Sequence, residues 1–223
     1  MINILVVEDN EKLRNLMRIH LTRAGFSVYE AGNGVEALNN NVCKYTQKAL
    51  HNKFGYVPQQ AVMFSGTVTS NVAYGDNGRA DYTKEDVKKA VEIAQSKDFV
   101  ENMTEQYNGI VAQGGMNLSG GQKQRLSIAR AICRKPEIYI FDDSFSALDY
   151  KTERLLRSVL RKETADITSL IVAQRIGTIK DADKIIVLDE GSVVDIGTHE
   201  ELMKNCTVYQ EIALSQLSKE ELA

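Results

Sequence analysis

An octapeptide near the middle of the chain, Leu118-Ser119-Gly120-Gly121-Gln122-Lys123-Gln124-Arg125, constrains the fold more than any other segment. A serine and two glycines stand at the start of an amphipathic helical pattern that runs from Gln122 to about Arg134. Backbone N–H groups at such a helix start point outward and bind anions, and glycines let a phosphate approach closely. The octapeptide predicts a phosphate-binding helix start, although a glycine-flanked helix cap without a ligand would have the same pattern.

Further motifs occur on both sides of this helix, and their order is informative. They are Tyr56-Val57-Pro58-Gln59 with Phe64-Ser65-Gly66-Thr67-Val68, Ile138-Tyr139-Ile140-Phe141-Asp142, Ser146-Ala147-Leu148-Asp149, Leu170-Ile171-Val172-Ala173-Gln174-Arg175, and the closing strands at 184–191 and 193–199. Each is weak alone. In this order and at these spacings they resemble the Q-loop, Walker B, D-loop and switch regions of ABC exporter nucleotide-binding domains, over residues from about 45 to the end.

The resemblance implies a role for each matched residue. The signature residues Leu118, Ser119, Gly120, Gly121 and Gln122 would bind the γ-phosphate of a nucleotide held by an opposing subunit. Asp142 would hold Mg²⁺ through water, Gln59 would lie near the Mg²⁺ and the attacking water, and Asp149 would belong to the D-loop. The implied cofactors are ATP and Mg²⁺. The implied partners are a second ABC cassette and transmembrane domains.

Two candidate catalytic residues depart from the family pattern. Asp143 follows Asp142 where competent members carry Glu, and Gln174 occupies the switch position where they carry His. Asp is one methylene shorter than Glu and would hold the attacking water poorly. Gln donates a hydrogen bond but does not titrate near neutral pH. Both changes resemble the slow site of a heterodimeric exporter, whose intact signature serves the partner's site.

The phosphate loop Gly-x-x-x-x-Gly-Lys-Ser/Thr has no counterpart here, because no Gly-Lys dipeptide occurs in the sequence. Residues 1–38 read instead as strand, helix, strand, helix, and they resemble the start of a response-regulator receiver domain. Glu8 and Asp9 match the Mg²⁺-binding acids of that family. Residues 39–57 contain neither Asp nor Glu, so no phosphoacceptor follows. The alternative for the acidic pair is an ordinary strand end at a helix N-terminus.

From these segments we expect one α/β domain with a three-layer, mainly parallel, doubly wound sheet, a hybrid of P-loop NTPase and flavodoxin-like folds. Strand 3–8 and helix 11–24 would replace the missing phosphate-loop strand and helix. Residues 39–223 would supply the rest of the cassette, with an inserted helical subdomain at about 66–134. Both parent folds use parallel strands with right-handed crossovers, so the exchange is geometrically feasible.

In such a sheet Glu8 and Asp9 would stand where the triphosphate is normally bound. Two unit charges about 4 Å apart repel by about 4 kcal/mol at an effective dielectric near 20. We therefore predict that the chain alone neither binds ATP tightly nor hydrolyses it. Two alternatives stay open: a designed or recombined chimera with no activity, and a Mg²⁺-binding receiver fragment of a phosphorelay.

Composition limits the remaining classes of function. The net charge of -3 argues against general nucleic-acid binding. No apolar run approaches the roughly 20 residues of a membrane span, and Met1 leads directly into a strand, so we expect neither membrane insertion nor a signal peptide. The three cysteines lack metal-binding spacing, which favours reduced thiols in a cytoplasmic protein.

Overall fold

The computed structural model describes residues 3–8, 10–23, 25–32, 46–75 and 82–216 of the chain. Asp9, the helix expected after Asn33 and the junction at 39–45 lie outside the described residues. The chain divides into two compact units. One comprises Gln47–Gln174, and the other comprises Met1–Thr46 with Arg175–Ala223.

The elements follow the order expected from the sequence. Strands β1 to β9 span Asn3–Val7, Ser27–Ala31, Phe54–Val57, Gly66–Thr67, Ile110–Val111, Ile138–Asp142, Thr168–Val172, Ile185–Asp189 and Ser192–Gly197. Helices α1 to α10 span Glu11–Arg23, Gln47–His51, Val68–Val72, Lys84–Ile93, Lys97–Glu101, Gly120–Cys133, Tyr150–Glu163, Ile176–Ile179, His199–Asn205 and Thr207–Gln216, and short 3₁₀ turns cover Gln106–Asn108 and Gln113–Gly115.

A three-stranded parallel sheet, in the order β3-β6-β7, forms the centre of the 47–174 unit. Its strands are short and apolar, as expected for a parallel sheet with a buried face. Val57, Tyr139 and Phe141 point to that face and are almost fully buried. They belong to the same hydrophobic core as Leu126 on α6 and Leu156 on α7. The core therefore fixes the carboxyl ends of the strands relative to the signature helix.

Helices α3 to α6 lie between β3 and β6, and α3, α4 and α6 each start with a capping box. The Thr83 side chain accepts a hydrogen bond from Asp86 N at the start of α4, while the Asp86 carboxylate accepts from Thr83 N. This reciprocal capping box satisfies two backbone donors that the helix leaves without acceptors. Val87 and Val91 on the next turns are buried, so the helix expected from Thr83 is confirmed.

Two small sheets occur among the described residues of the unit that contains the termini. Strands β1 and β2 pair in parallel, and α1 connects them along the chain. Helix α1 starts after Asn10, and Asn10 Oδ1 accepts hydrogen bonds from Lys12 N and Leu13 N. Strands β8 and β9 pair antiparallel through a two-residue turn, Glu190-Gly191, in which both residues have positive φ. Such a turn joins antiparallel strands only, so the β8–β9 pair is an exception to the mainly parallel sheet that we expected.

The expected continuous hybrid sheet differs from the pairing that is observed. Among the described residues β1 hydrogen-bonds to β2 alone, and β6 pairs with β3 and β7. The structure thus shows an α/β fold with a parallel sheet around Asp142. The idea that residues 1–38 complete that sheet remains a prediction. None of the described helices has the length and apolar character needed to cross a bilayer.

Candidate functional site

Four polar side chains meet beyond the carboxyl ends of the central strands. Gln59 follows β3, Asp142 ends β6, Asp143 comes next, and Gln174 follows β7. The Nε2 atoms of Gln59 and Gln174 each lie 3.3 Å from Oδ2 of Asp143 and donate to it. In open α/β sheets this edge is where ligands bind. The sequence-based prediction that these residues share one site is therefore consistent with the geometry of the sheet.

The backbone at Asp143 directs its carboxylate toward the two glutamines. Asp143 has a φ of 41°, in the left-handed region, where Asp is tolerated better than most residues. Its N–H donates to Val172 O at 2.9 Å, and Ser146 Oγ donates to its carbonyl at 2.8 Å. The turn after β6 is thus tied to β7 on one side and to the following loop on the other.

Asp142 has a different partner, which the sequence analysis missed. The hydroxyl of Tyr56 on β3 donates to Asp142 Oδ2 at 2.9 Å. This hydrogen bond, with smaller contributions from burial and from the charge of Asp142, raises the pKa of Tyr56 above its usual value. Two-residue periodicity places Ile140 and Asp142 on one face of β6, but that Tyr56 lies on the same face of the sheet follows only from the pairing of Tyr56 with Ile140.

The donor set suits Mg²⁺, which prefers oxygen ligands and usually takes one or two carboxylates plus substrate phosphates and water. Two adjacent carboxylates, Asp142 and Asp143, stand at the strand ends, and Gln59 lies beside them. Within the described ranges no cluster of three or more His, Cys, Asp or Glu residues could hold a metal. The two carboxylates thus fit the oxygen-ligand preference of Mg²⁺.

The signature residues form the start of α6 as expected. Ser119 Oγ accepts from Gln122 N at 3.3 Å, and Gln122 Oε1 accepts from Ser119 N at 2.9 Å. This capping box gives both side chains a structural role. The first backbone N–H groups of a helix have no intrahelical acceptor, which leaves those of Gly120 and Gly121 available to an anion.

The fold itself does not require glycine at either position. A Cβ added at Gly120 would meet nothing within 4 Å. At Gly121 it would lie 3.5 Å from Ala147 O, an ordinary van der Waals contact. Gly55 differs, since its Cβ would lie 2.7 Å from Pro136 Cγ. Close packing thus explains Gly55 but not the two signature glycines.

Helix α6 lies against two of the other predicted motifs. Gly121 faces the turn at Ala147 and Leu148 in the D-loop. One turn further on, Gln124 is buried, and its Nε2 donates to Pro58 O at 3.0 Å, next to the Q-loop glutamine. The signature, the D-loop and the Q-loop are therefore held together through α6.

Asp149 of the D-loop caps α7. Its Oδ1 accepts from Thr152 N at 3.0 Å. Hydrogen bonds from Thr152 are the main cause that lowers the pKa of Asp149 below its usual value. Its observed role is structural, and a catalytic role remains a prediction.

Glu8 belongs to the unit that contains the termini. Its Oε1 accepts from Asn10 N at 3.1 Å, and its carbonyl accepts from Arg14 Nη1 at 2.6 Å. Asp9 lies outside the described residues. A Mg²⁺ site at Glu8 and Asp9 therefore stays a prediction, and the local contacts of Glu8 are those of a capped strand-to-helix turn.

Comparison with known families agrees with this geometry. The profile of the family described as "ABC transporter" matches residues 22–146, which is more than half of the chain. The match begins inside the segment 1–38 that resembles a receiver domain.

Individual relatives are longer proteins of the same kind. An uncharacterised ABC transporter ATP-binding protein of Mycobacterium tuberculosis is 44% identical over 79% of this chain, which covers 30% of that relative. The ATP-binding cassette sub-family B member 5 of Mus musculus is 42% identical over 72% of this chain, which covers 13% of that protein. The chain thus spans less than a third of the length of these curated relatives.

A solved structure shares the fold as well as the sequence. The structure of a bacterial Atm1-family ABC exporter with ATP bound matches with a TM-score of 0.72 and 36% identity, over 78% of this chain and 30% of that one. The α/β architecture, the signature at the start of α6 and the family profile agree: this chain belongs to the ABC transporter family.

Proposed function

We propose that this chain is the nucleotide-binding part of an exporter-type ABC transporter, and that it supplies its signature helix to an ATP held by a partner cassette. The likeness to the Atm1-family exporter and to the sub-family B protein supports the exporter type. Transmembrane domains would be the further partners, and the cytoplasmic face of a membrane the place of action.

One observation carries the proposal: the fold tolerates a side chain at Gly120 and Gly121, but the sequence has none there. Open space lies around a Cβ at Gly120, and ordinary contact around one at Gly121. Glycine also costs about 0.5–1 kcal/mol relative to alanine inside a helix. Both glycines are explained if a group outside the chain must come close to the backbone there. The N–H groups at the start of α6 favour a phosphate as that group.

The chain's own site is proposed to be silent. Oδ2 of Asp143 accepts from both Gln59 and Gln174, so one of the two carboxylate oxygens that could orient water is already engaged. The Asp143 side chain is also shorter than that of Glu, and Gln174 cannot act as a titratable switch. With no phosphate loop in the sequence, tight ATP binding by this chain alone is not expected.

Mg²⁺ and ATP are the proposed cofactors. In the chain's own site, Asp142 would hold Mg²⁺ through water, and the ion would neutralise part of a phosphate charge. At the ATP held by the partner cassette, the chain's contribution is to present the N–H groups of α6.

The domain organisation is part of the proposal. Residues 1–38 would complete the sheet and residues 39–223 would form the cassette remainder, with its helical subdomain at about 66–134. A recombined origin of the 1–38 segment is compatible with this role, because the proposed activity of the chain lies in α6 rather than in that segment.

Complementation in trans tests the function. The partner is an isolated ABC cassette with an intact phosphate loop, a catalytic Glu and a switch His, but with its own signature inactivated by substitution. Phosphate release should appear only when this chain is added, and the variant Gly121→Val should abolish it. The proposal would be refuted if Gly121→Val supported the same rate of phosphate release as the unsubstituted chain. It would also be refuted if no phosphate were released at a saturating concentration of the unsubstituted chain.

A further inference from the structure

We propose that Tyr56 is a positioning residue that holds the Asp142 carboxylate in the orientation in which it binds a divalent cation. This inference rests on the cation role of Asp142 in the proposed function. It gives a role to Tyr56, to which the sequence comparison assigned none; this residue precedes Gln59 by three positions and lies within β3.

The strand register brings the two side chains together. Tyr56 pairs with Ile140 across the parallel ladder, and Asp142 lies two residues further along β6. Side chains at Tyr56, Ile140 and Asp142 therefore point to the same face of the sheet. Side chains in strands lean along the strand direction, and the long tyrosine ring spans the offset to place its hydroxyl 2.9 Å from Asp142 Oδ2.

Packing does not explain why the tyrosine ring stands there. Tyr56 is 53% exposed, whereas its neighbour Val57 is completely buried in the core. The ring therefore contributes little to the interior, and its hydroxyl makes the directed contact. A shorter or apolar side chain would fill the same strand position without reaching Asp142.

The bond leaves the other carboxylate oxygen open. Among the described residues, no other hydrogen bond to Asp142 competes with that of Tyr56, so Oδ1 is available to a water-bound cation. The adjacent carboxylate, Asp143, is held by Gln59 and Gln174 instead. The two acids thus have separate orienting groups, and a change at Tyr56 acts on Asp142 alone. Hydrogen bonds to metal-binding carboxylates typically contribute about 10- to 100-fold in metal affinity.

The direct test measures the side-chain rotamer of Asp142. Three-bond couplings to its carboxyl carbon are recorded by NMR in the unsubstituted full chain, in Tyr56→Phe and in the matched control Tyr74→Phe. Tyr74 is 50% exposed, and its ring centroid lies 4.1 Å from that of Phe64, on which it stacks. Its substitution therefore serves as a control for the loss of a surface phenol. We expect the couplings of a single Asp142 rotamer in the unsubstituted chain and in Tyr74→Phe. In Tyr56→Phe we expect couplings averaged over several rotamers. Unchanged Asp142 couplings in Tyr56→Phe would overturn the proposal.

Metal uptake gives a second readout. Mn²⁺ is titrated into the same three proteins and into Asp142→Asn, and free Mn²⁺ is followed by electron paramagnetic resonance. We expect about 10-fold weaker binding in Tyr56→Phe at an unchanged melting temperature, no loss in Tyr74→Phe, and loss of the site in Asp142→Asn. Equal affinity of Tyr56→Phe and the unsubstituted chain would contradict the inference. If the unsubstituted chain takes up no Mn²⁺, the claim that Asp142 binds a cation in the isolated chain is overturned, whereas the proposed function, in which a nucleotide supplies further ligands, is decided by the complementation experiment and the orienting role of Tyr56 by the NMR couplings.

Discussion

Gln174 donates from Nε2 to Oδ2 of Asp143 across 3.3 Å, and so joins the two residues that we expect, from the sequence, to replace the His and Glu of competent cassettes. The two departures are therefore in direct contact. The glutamine amide thus helps to orient the Asp143 carboxyl group at the strand ends, and an amide, unlike the imidazole of His, does not titrate near neutral pH.

Restoring both side chains should not restore catalysis. In Asp143→Glu with Gln174→His, the base and the switch are those of a competent cassette, but the sequence still has no phosphate loop. We expect phosphate release from ATP by the isolated double variant to stay at the background of the buffer. Turnover well above that background would show that these two residues alone had silenced the site.

The signature glycines should be dispensable for folding. Gly120→Ala and Gly121→Ala are expected to keep the stability of the chain or raise it by up to about 1 kcal/mol, because Ala is the better helix former. Gly55→Ala is the matched contrast, since its Cβ would lie 2.7 Å from Pro136 Cγ. That overpacked variant should lose about 1–3 kcal/mol. Urea denaturation measures all three, and a large loss at Gly120 or Gly121 would assign those glycines to the fold.

Ser144, a buried serine next to Asp143, should lower the free energy of unfolding of the chain. Ser144 is fully buried, and its Oγ has no hydrogen-bond partner in the described structure. Removing an unsatisfied buried hydroxyl recovers its desolvation cost, so Ser144→Ala should stabilise the chain by about 1 kcal/mol. The control is Ser146→Ala, which deletes the 2.8 Å hydrogen bond to Asp143 O and should destabilise. If both variants changed the melting temperature in the same direction, this assignment would be contradicted.

Stability should fall in alkaline solution, partly through Cys133. Burial raises the pKa of this thiol to about 11 from a usual value of 9.0. Because the folded state then binds the proton more tightly than the unfolded state, the thiol's contribution is complete below pH 9 and is lost as pH rises toward 11.

The variant Cys133→Ala isolates this contribution. Its free energy of unfolding should depend less steeply on pH between about 9 and 11, by at most about 1.4 kcal/mol per pH unit. Tyr139 and Tyr209, whose pKa values are raised to about 12, serve as an unchanged background in both proteins. Parallel pH profiles for the two proteins would show that the thiol is not protected by the fold.

Local sequence signals were sufficient for most elements. Strand 54–57 and the helix after Thr83 lie where the apolar pattern and the cap placed them. Helix α6 begins at Gly120, two residues before the start at Gln122 that we expected from the sequence. Periodicity and caps act over a few residues, so one sequence is enough to detect them.

Long-range relationships were harder to predict. Strands 185–189 and 192–197 pair antiparallel because the turn between them has only two residues, a constraint that outweighed the parallel architecture of the family fold. The contact between Tyr56 and Asp142 depends on strand register across 86 positions of the chain, which motif spacing does not encode. The same holds for Gln124 and Pro58, 66 positions apart.

The most direct test of the account is a titration of the isolated chain with fluorescent ATP and Mg²⁺. The account predicts no saturable binding tighter than about 1 mM, since the chain presents a signature helix but no phosphate loop of its own. Micromolar affinity in the isolated chain would contradict it.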